Sequence, residues 1–541
     1  DVFDRYNFTI KENEPLEKEV AVDPEMLGKV FENLLKIEDR KSKGTYYTPR
    51  EIVHYMCQES LIKHLETELA SGVPYKDIKT FVRYGEQAIE NDRYVVEQNK
   101  KKSHYSYNIP ESIRKNAKAI DKELESIRVC DPAVGSGAFL VGMMNEIVSK
   151  REVLASYLPD VSGRNAYTFK LNAIHDSLYG VDIDPGAVEI AKLRLWLSLV
   201  VEEENIKRIH SLPNLDYKIM QGNSLLEEYE GIKLIDERFF AKPESNEVVV
   251  EQLQEQEKKI QKEYIKLHQE RELTEDKKRE LEKKLKQIPK KINEYKRQED
   301  TGFVSDLFGS NEARKKAEDL LKLQEAFFDA SRQQEKQKIR NKIEHLTWDL
   351  IELTLIEQDK EKKLSEIREF REKRIHPFFL WKLNFAEVFQ KNGGFDVVIA
   401  NPPYVKEYIN KTAFDGFHNS PYYEGKMDLW YGFACIGIDL LKEKGIKCFI
   451  AQNNWVTSSG ASKMREKVLS DAKILKLVDF GSYEIFDNAN IQTMVMLFQK
   501  DEKIDNYRAE VFRIEKQDAE FSDVVAILNE KRWFELFRAK N

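Results

Sequence analysis

Apolar positions fall into short runs from about residue 127 onward, and segments with helical spacing separate these runs. Strands that alternate with helices predict an α/β fold, with a parallel or mostly parallel sheet covered by helices on both faces. The predicted strands are residues 127–130, 178–181, 217–220, 395–400, 447–451, 474–480 and 493–498. Residues 1–120 are mostly helical in pattern, so a helical region precedes the sheet.

A different pattern interrupts the sheet between residues 248 and 375, which are dense in Lys, Glu and Gln. Apolar side chains recur there at spacings of four and three residues, which indicates a coiled-coil seam. The seam positions are Leu281, Leu285, Ile288, Ile292 and Tyr295, and then Ile339, Ile343, Leu346, Leu350 and Leu353. Two such stretches predict an inserted antiparallel helical hairpin. The pattern leaves open whether this arm is purely structural or contacts a partner.

A helix start is expected at residues 48–51. Thr48 is a suitable N-cap residue, Pro49 suits the first helical position, and Glu51 completes a capping box. We therefore predict that the Thr48 side chain caps this helix.

The composition excludes several classes of protein. The net charge is −8 and the pI about 5.9, so no global basic field points to nucleic acid, although a local groove can still be basic. The four cysteines are far apart, which argues against a disulfide framework or a metal site and fits a reducing cytoplasm. No apolar run reaches the roughly 18 residues of a membrane span. Since the chain begins with Asp1 rather than Met, we expect a piece of a longer protein.

A glycine-rich turn follows the first predicted strand, in residues 131–139 (D-P-A-V-G-S-G-A-F). Glycines let the backbone turn tightly and approach a ligand, and the next helix offers free N–H groups at its start. The turn lacks the third glycine of the dinucleotide-binding fingerprint. By itself, a plain turn explains it equally well.

Acidic and amide side chains end the next two strands. Asp182 is placed to accept hydrogen bonds from ribose hydroxyls, whereas Asp184 is better placed to cap the helix that starts at Pro185. The alternative is that both are caps. Asn223, after the third strand, either bonds an adenine ring or simply forms a turn.

The most specific motif is N-P-P-Y at residues 401–404, directly after the strand 395–400. The two prolines remove backbone donors and stiffen the loop. The Oδ1 atom of Asn401 and the carbonyl of Pro402 would then form a rigid pair of acceptors, which suits the two N–H bonds of a planar amine. Tyr404 offers a face on which a planar base can stack.

Taken together and in this order, these motifs resemble the amino-group methyltransferases of the γ arrangement, in which the glycine motif precedes N-P-P-Y. The motifs are residues 131–139, 180–184 (G-V-D-I-D), 222–224 (G-N-S) and 401–404. They are specific jointly rather than singly.

Further stretches narrow the resemblance. Residues 43–49 (K-G-T-Y-Y-T-P) resemble the family's N-terminal cofactor motif, and residues 426–431 (K-M-D-L-W-Y) resemble a motif that lines the cofactor and base pocket. Residues 486–493 resemble the loop that helps to hold a flipped base. The flanks 24–28 and 377–381 look like those of type IIG restriction–modification enzymes, whose single polypeptide carries nuclease, methyltransferase and target recognition domains.

The resemblance implies a Rossmann-like S-adenosylmethionine-dependent methyltransferase sheet. It implies methyl transfer to adenine N6 in double-stranded DNA, with the adenine flipped out of the stack and S-adenosylhomocysteine as product. The catalytic residues would be Asn401, Pro402 and Tyr404. The cofactor would contact Thr48, Asp131, Ala133, Gly135, Gly137, Phe139, Asp182, Ile183, Asn223, Ser224 and Asn401. The base would contact Pro403, Tyr404, Asp428 and Gln492. No metal is expected, because the sulfonium is already activated.

The resemblance also suggests domain boundaries. The expected domains are an N-terminal helical region at 1–120 with the cofactor motif at 43–56, a catalytic domain at 121–247 and 376–505, the helical coiled-coil arm at 248–375, and at 506–541 the start of a linker to a target recognition domain. We expect a cytoplasmic bacterial or archaeal protein without membrane contact, whose arm contacts DNA or a partner subunit if it is not purely structural. The alternatives are a protein glutamine or RNA methyltransferase, or a non-catalytic DNA-binding scaffold.

Overall fold

The structure is a computed structural model. It describes residues 46–69, 72–97, 108–158, 163–201, 215–229, 232–234, 311–329, 333–358, 360–373, 378–486, 491–501, 507–516 and 518–529. The chain divides into two compact units. The first comprises Asp1–Leu234 with Arg368–Asn541, and the second is Ile235–Ile367.

The described helices and strands follow one another along the chain as the pattern of apolar positions suggests. The helices are α1 (Arg50–Glu68), α2 (Tyr75–Glu97), α3 (Glu111–Lys115), α4 (Ala117–Ser126), α5 (Ala138–Ala155), α6 (Ala166–Asn172), α7 (Pro185–Val200), α8 (Asn311–Asp329), α9 (Gln333–Glu357), α10 (Glu361–Lys373), α11 (Trp381–Asn384), α12 (Ala386–Asn392), α13 (Trp430–Asp439), α14 (Ser462–Asp471) and α15 (Phe521–Leu528). The strands are β1 (Val129–Asp131), β2 (Leu178–Asp182), β3 (Ile219–Gln221), β4 (Glu228–Tyr229), β5 (Ile232–Lys233), β6 (Phe395–Ala400), β7 (Leu441–Gln452), β8 (Ala472–Asp479), β9 (Thr493–Lys500) and β10 (Glu510–Arg513).

The first unit is built on an eight-stranded sheet in the order β10-β8-β9-β7-β6-β1-β2-β3. The five neighbouring strands β7, β6, β1, β2 and β3 pair in parallel. Strand β9 runs antiparallel to both β7 and β8. The edge strand β10 is parallel to β8, and β4 pairs with β5 in a separate antiparallel ladder. The prediction of an α/β fold with a mostly parallel sheet is confirmed.

The order of the parallel strands decides where a site can form. The chain moves outward from β1 through β2 to β3, and then returns to β6 on the other side of β1. Right-handed crossovers place the helices of the two halves on opposite faces of such a sheet. Ligands bind outside the carboxyl ends of the strands at the point where the direction reverses, which is here between β1 and β6.

Helix α1 packs on the central strands and is fixed there by a buried ion pair. Glu59 and Lys476 are each 1% exposed, and their side chains meet at 2.6 Å. The Arg83 side chain of α2 contacts Glu59 at the same distance. Part of the N-terminal helical region therefore belongs to the same packed unit as the sheet.

Several predicted strands agree closely with the structure. The strand 395–400 has the predicted bounds, and all of its residues are buried, which explains why every residue except Asp396 is apolar. Strand β7 is longer than predicted and reaches back to Leu441, because residues 442–444 are charged and carry no apolar signal.

The expectation of a linker from residue 506 is wrong for residues 510–513. These residues form β10, which extends the sheet through backbone pairing with β8. Only Phe512 of this edge strand is buried, so the sequence shows no alternation there.

Thr48 does not cap α1, which corrects the prediction for this helix start. The helix begins at Arg50 after Pro49, and no side chain caps it. The Thr48 hydroxyl instead accepts a hydrogen bond from the Nδ2 atom of Asn401 at 3.1 Å. The Thr48 side chain therefore bonds a residue that is distant in sequence rather than the start of its own helix.

The second unit contains an antiparallel helical pair, α8 with α9. Lys316 contacts Asp349 at 2.8 Å, and Arg340 lies over the Phe327 ring at 5.7 Å, so the two helices run in opposite directions. The seam predicted on 339–353 lies on α9, which packs against α8. The predicted stretch 281–295 lies outside the described residues, as does the flank 24–28.

None of the described helices is both long and apolar enough to cross a membrane.

Candidate active site

A cavity of about 550 Å³ lies at the carboxyl ends of β1, β2, β3 and β6, on the side where the strand order reverses. Most of the predicted cofactor and base residues line it. These are Thr48, Asp131, Ala133, Gly135, Phe139, Asp182, Ile183, Asn223, Ser224, Asn401 and Pro403. Segments that are hundreds of residues apart in sequence thus meet in one cavity, whose size is in the range of small-molecule sites.

The glycine turn forms one wall of this cavity. Gly135 and Gly137 have φ angles of +50° and +84°, a conformation that side chains other than glycine rarely adopt. The N–H of Gly135 donates to the Oδ2 atom of Asp182 at 2.8 Å, which ties the turn to the end of β2. Gly137 does not line the cavity. A Cβ atom there would lie 3.0 Å from that of Ala191, so this glycine allows close packing against α7.

The two aspartates at the strand ends, Asp131 and Asp182, lie in the cavity wall, where Asp131 is buried and Asp182 is partly exposed. The Oδ1 atom of Asp131 accepts from the N–H of Ala133 at 3.0 Å, and the Oδ1 atom of Asp182 accepts from the N–H of Asp184 at 2.9 Å. Burial raises the pKa of both carboxyl groups, most strongly that of Asp131. Each oxygen of Asp182 holds one backbone N–H, so a further lone pair remains on each for a ligand hydroxyl.

Asp184 caps helix α7, as predicted. Its Oδ1 atom accepts from the N–H groups of Gly186 and Ala187 at 2.8 and 3.3 Å. Ile183 lies between Asp182 and Asp184 in the sequence and is 66% exposed at the cavity. Its apolar side chain is therefore available to a planar ligand.

The segment after β3 forms a tight turn. The Oδ1 atom of Asn223 accepts from the N–H of Leu225 at 3.1 Å, as in a turn-forming Asn, while the residue still lines the cavity. The Ser224 hydroxyl donates to the Pro132 carbonyl at 2.6 Å and fixes this turn to the glycine-rich loop.

The amide of Asn401 is held in one orientation. Its Nδ2 atom donates to the carbonyl of Tyr46 at 3.0 Å and to the Thr48 hydroxyl at 3.1 Å. These two bonds use both amide hydrogens, so the other end of the amide must be the acceptor Oδ1. The Tyr404 hydroxyl lies 2.5 Å from Oδ1 and also within 2.9 Å of the Ile450 carbonyl.

Three aromatic rings cluster beside this amide. The centroids of Tyr46 and Tyr404 are 5.8 Å apart with an interplanar angle of 24°, and Phe486 lies 5.8 and 6.0 Å from these two rings. Tyr404 is 7% exposed and does not line the cavity. Its stacking partner in this structure is Tyr46, and the stacking of a base on Tyr404 stays a prediction.

The remaining predicted residues lie behind or beside the cavity. Pro402 is buried in the loop behind Pro403, and Asp428 is buried opposite Lys406. Gln492 is exposed, and its carbonyl accepts from the N–H of Asn453 at 3.1 Å. Residues 487–490 of the predicted base-holding loop lie outside the described residues.

Some wall residues were not predicted. They include Val405, Asn410, Ala413 and Phe433, which lie outside the predicted motifs. Leu429 and Phe433 stand four residues apart just after Asp428, which is a helical spacing that the sequence does show. Asn410 caps the short 3₁₀ helix Lys411–Phe414 that contains Ala413, and one turn is too short for its side chains to show a periodic pattern.

One group of described side chains, far from the N-P-P-Y end of β6, has the composition of a metal site. His64, Glu68 and Asp396 bring three ligand-type atoms within 4.8 Å of one another. The Lys442 ammonium contacts both Glu68, at 2.9 Å, and Asp396. A lysine charge therefore already compensates the two carboxylates.

The amino-acid sequence matches a known protein family. The model of the Eco57I restriction-modification methylase family matches residues 176–486, which is more than half of the chain. A curated relative described as a putative type II restriction enzyme and methyltransferase, RM.MjaORFECS2P of Methanocaldococcus jannaschii, is 28% identical over 520 residues. This match covers 92% of the chain and 39% of the relative.

A second curated relative is the type II restriction enzyme and methyltransferase RM.Eco57I of Escherichia coli. It is 32% identical over 124 residues, which are 21% of this chain and 12% of that enzyme. The chain thus spans about two fifths of the length of the first relative, and its match to the second covers far less.

Two solved structures align with most of the chain. A DrdV–DNA complex aligns with a TM-score of 0.41 at 12% identity, and the alignment covers 96% of this chain and 32% of the chain in that complex. The type IIL restriction-modification enzyme MmeI in complex with DNA has a TM-score of 0.40 at 12% identity and covers 92% and 42%. At TM-scores this low, the two likenesses carry no argument about this chain.

Proposed function

The chain belongs to the Eco57I restriction-modification methylase family, and we propose that it transfers the methyl group of S-adenosylmethionine to the N6 amine of adenine in double-stranded DNA. We further propose that it is the modification part of a larger type IIG restriction–modification protein. The observation that carries the proposal is the fixed amide of Asn401, which lines the same cavity as the glycine turn and whose Oδ1 atom keeps a second lone pair beside the one that the Tyr404 hydroxyl uses.

The cavity suits S-adenosylmethionine in its chemistry. Asp182 offers acceptor lone pairs for ribose hydroxyls, Ile183 offers an exposed apolar surface for an adenine ring, and the glycine turn allows a close approach of the backbone. Thr48, Asp131, Ala133, Gly135, Phe139, Asn223, Ser224 and Asn401 would complete the wall around it. When bound, this cofactor supplies a methyl group on an already activated sulfonium, and for that reason the proposal includes no metal.

The amine would be positioned by the N-P-P-Y loop. Asn401 Oδ1 and the Pro402 carbonyl would each accept one N–H of the adenine amine, which draws the nitrogen toward a tetrahedral geometry and directs its lone pair at the methyl carbon. Since Tyr46 and Thr48 hold the amide before the substrate arrives, little reorganisation is needed at the moment of reaction. Catalysis would then consist of positioning and electrostatics, with S-adenosylhomocysteine as the leaving group, and the surplus proton of the methylated amine would pass to solvent by way of the acceptors Asn401 and Pro402.

The adenine must leave the DNA stack to reach this loop. We propose that Pro403, Tyr404, Asp428 and Gln492 surround the flipped base, with the aromatic cluster of Tyr46, Tyr404 and Phe486 as its apolar boundary. The Tyr404 ring would have to part from Tyr46 to stack on the base. Bases stack well on aromatic side chains, so this exchange of partners is feasible.

The test combines binding with transfer. S-adenosylmethionine is titrated calorimetrically into the wild type, Asp182→Asn and Asn401→Ala, and each protein is then incubated with tritiated cofactor and DNA, RNA or protein. We expect labelled N6-methyladenine in DNA from the wild type, and cofactor binding that Asp182→Asn weakens. Asn401→Ala should bind the cofactor but lose at least about 100-fold in rate, as when one preorganised partner of a reacting group is removed.

Two results would contradict the proposal. Label that appears in RNA or protein rather than in DNA would assign the chain to another methyltransferase class. Full activity of Asn401→Ala would show that the amide has no part in the reaction.

A further inference from the structure

Asp428 is a buried carboxyl group next to the N-P-P-Y loop. It is 4% exposed, and its backbone forms an antiparallel bridge with Lys406. The N–H of Leu429 donates to the Val405 carbonyl at 2.9 Å, and the N–H of Glu407 donates to the Met427 carbonyl at 3.0 Å. This short pairing fixes Asp428 against the chain that leaves Tyr404.

Neither oxygen of this carboxyl group makes a hydrogen bond of good geometry to any residue that the structure describes. The nearby backbone amides of Trp430, Val405 and Leu429, and the Lys406 ammonium, favour the ionised form. Burial outweighs them and raises the pKa of Asp428 to about 7. Buried polar groups are nearly always paired, so a carboxyl group without a well-aligned partner among the described residues points to a partner from a bound ligand.

The carboxyl group is close to the proposed base site. After burial, its charge is the next cause of the raised pKa of the Tyr46 and Tyr404 hydroxyls. The Tyr404 hydroxyl lies 2.5 Å from the Oδ1 atom of Asn401. Val405 and Leu429, the two residues that pair beside Asp428, both line the cavity.

The chemistry of adenine restricts what Asp428 can do there. If Asn401 and Pro402 accept the two N–H bonds of the amine, the base has no other donor on its edges, and its ring nitrogens only accept. An ionised carboxylate also only accepts, and it would repel these atoms. A neutral carboxyl group carries one O–H donor.

We propose that Asp428, as a neutral carboxyl group, donates a hydrogen bond to a ring nitrogen of the flipped adenine. This inference rests on the proposed function. It makes Asp428 a specificity residue, since a base without an acceptor at that position would leave the O–H unpaired in a buried site.

The inference predicts a dependence on pH. The ionisable groups that face Asp428 are Lys406, Tyr46, Tyr404 and Tyr431. Burial is the main cause of the raised pKa of the three tyrosines, so none of them ionises near neutrality. As the pH rises through about 7, Asp428 loses its proton, and kcat/KM should fall.

The test compares two substitutions of Asp428, one that keeps a neutral hydrogen-bond donor and one that removes the polar group. Methyl transfer from tritiated S-adenosylmethionine to genomic DNA without N6-methyladenine is measured between pH 5.5 and 9 for the full chain, Asp428→Asn and Asp428→Ala. An amide keeps a neutral donor, so Asp428→Asn should retain activity within about threefold at pH 6 and lose the decline above neutrality. Asp428→Ala should lose about tenfold or more at pH 6. Asp415→Asn removes an exposed carboxylate from the neighbouring loop and should keep the wild-type profile.

The outcomes separate this inference from the proposed function. If the wild type transfers no label to DNA, the proposed function fails and this inference with it. If the wild type is active but Asp428→Asn is as impaired as Asp428→Ala, an ionised carboxylate is required and the inference alone is wrong. Wild-type activity in Asp428→Ala would leave Asp428 a purely structural group at the start of α13. Melting temperature and calorimetric cofactor binding establish that each variant is folded.

Discussion

Lys447 is a lysine inside the core of the sheet, and it allows a sharp test of the structure. It lies on β7 and is 0% exposed, and its ammonium has no hydrogen-bond partner among the residues described. The rings of Phe449 and Phe498 lie 4.4 and 4.7 Å from the Nζ atom. Burial lowers the pKa of Lys447 from 10.5 to about 7. We predict that Lys447→Met stabilises the protein.

The magnitude follows from this shift in the pKa. At about 1.4 kcal/mol for each pKa unit, a fall from 10.5 to about 7 corresponds to a destabilisation of about 5 kcal/mol. The charge of Lys447 should therefore cost up to about 5 kcal/mol of folding free energy, as long as the lysine is protonated in the unfolded chain.

The sign of the pH dependence follows from the same shift. Above pH 10.5 the lysine is neutral in both states, so its charge costs nothing. As the pH falls toward 7, the unfolded chain takes up a proton that the folded protein does not, and stability decreases. Below about pH 7 the cost is complete and constant. The advantage of Lys447→Met should be largest at pH 6 and shrink as the pH approaches 10.5.

The assay is urea unfolding of the wild type and Lys447→Met at pH 6, 8 and 10, followed by circular dichroism. Lys463→Met is the matched control, because that side chain is 42% exposed and is paired only with Glu466 at the surface. The control should show no difference that changes with pH. If Lys447→Met is no more stable than the wild type at pH 6, or if its advantage is the same at all three values, the account of a buried, unpaired ammonium is wrong.

Two further variants test contacts between distant segments. Thr48→Val removes one of the two acceptors that orient the Asn401 amide, so kcat should fall about tenfold. Thr48→Ser keeps the hydroxyl and should retain the wild-type kcat. Equal rates for the Val and Ser variants would show that the hydroxyl does not orient the amide. Glu59→Gln removes the buried carboxylate that Lys476 and Arg83 share, while Glu510 still contacts Lys476 at 3.2 Å, and it should destabilise the protein by about 3 kcal/mol in urea unfolding. A loss of less than about 1 kcal/mol would show that this buried pair is not structurally important.

The sequence is informative wherever the signal is local. The strand 395–400 is predicted with its observed bounds because burial on both faces makes every residue except Asp396 apolar. Asp184 is correctly predicted as a cap, since a cap involves only residues two and three positions away. Edge strand β10 is not predicted, because a strand that buries one side chain leaves almost no pattern.

In the candidate site, too, the sequence predicts the local motifs but not the contacts between distant segments. The motifs alone point to Asn401, Asp182 and the glycine turn. Whether the residues of these motifs meet depends on the strand order, which places β6 beside β1 although more than 200 residues separate them. The wall residues Asn410 and Ala413 come from a single 3₁₀ turn, which is too short for a periodic pattern in the sequence.

By itself the sequence determined the kind of each main element and the residue types at the strand ends, because periodicity and capping act over a few positions. Only the tertiary structure decided how those residues are used. Thr48 has the local chemistry of a helix cap, yet its hydroxyl accepts from Asn401, 353 residues away. The local pattern cannot reveal such a choice, since a hydroxyl bonds whichever donor the fold brings within about 3 Å of it.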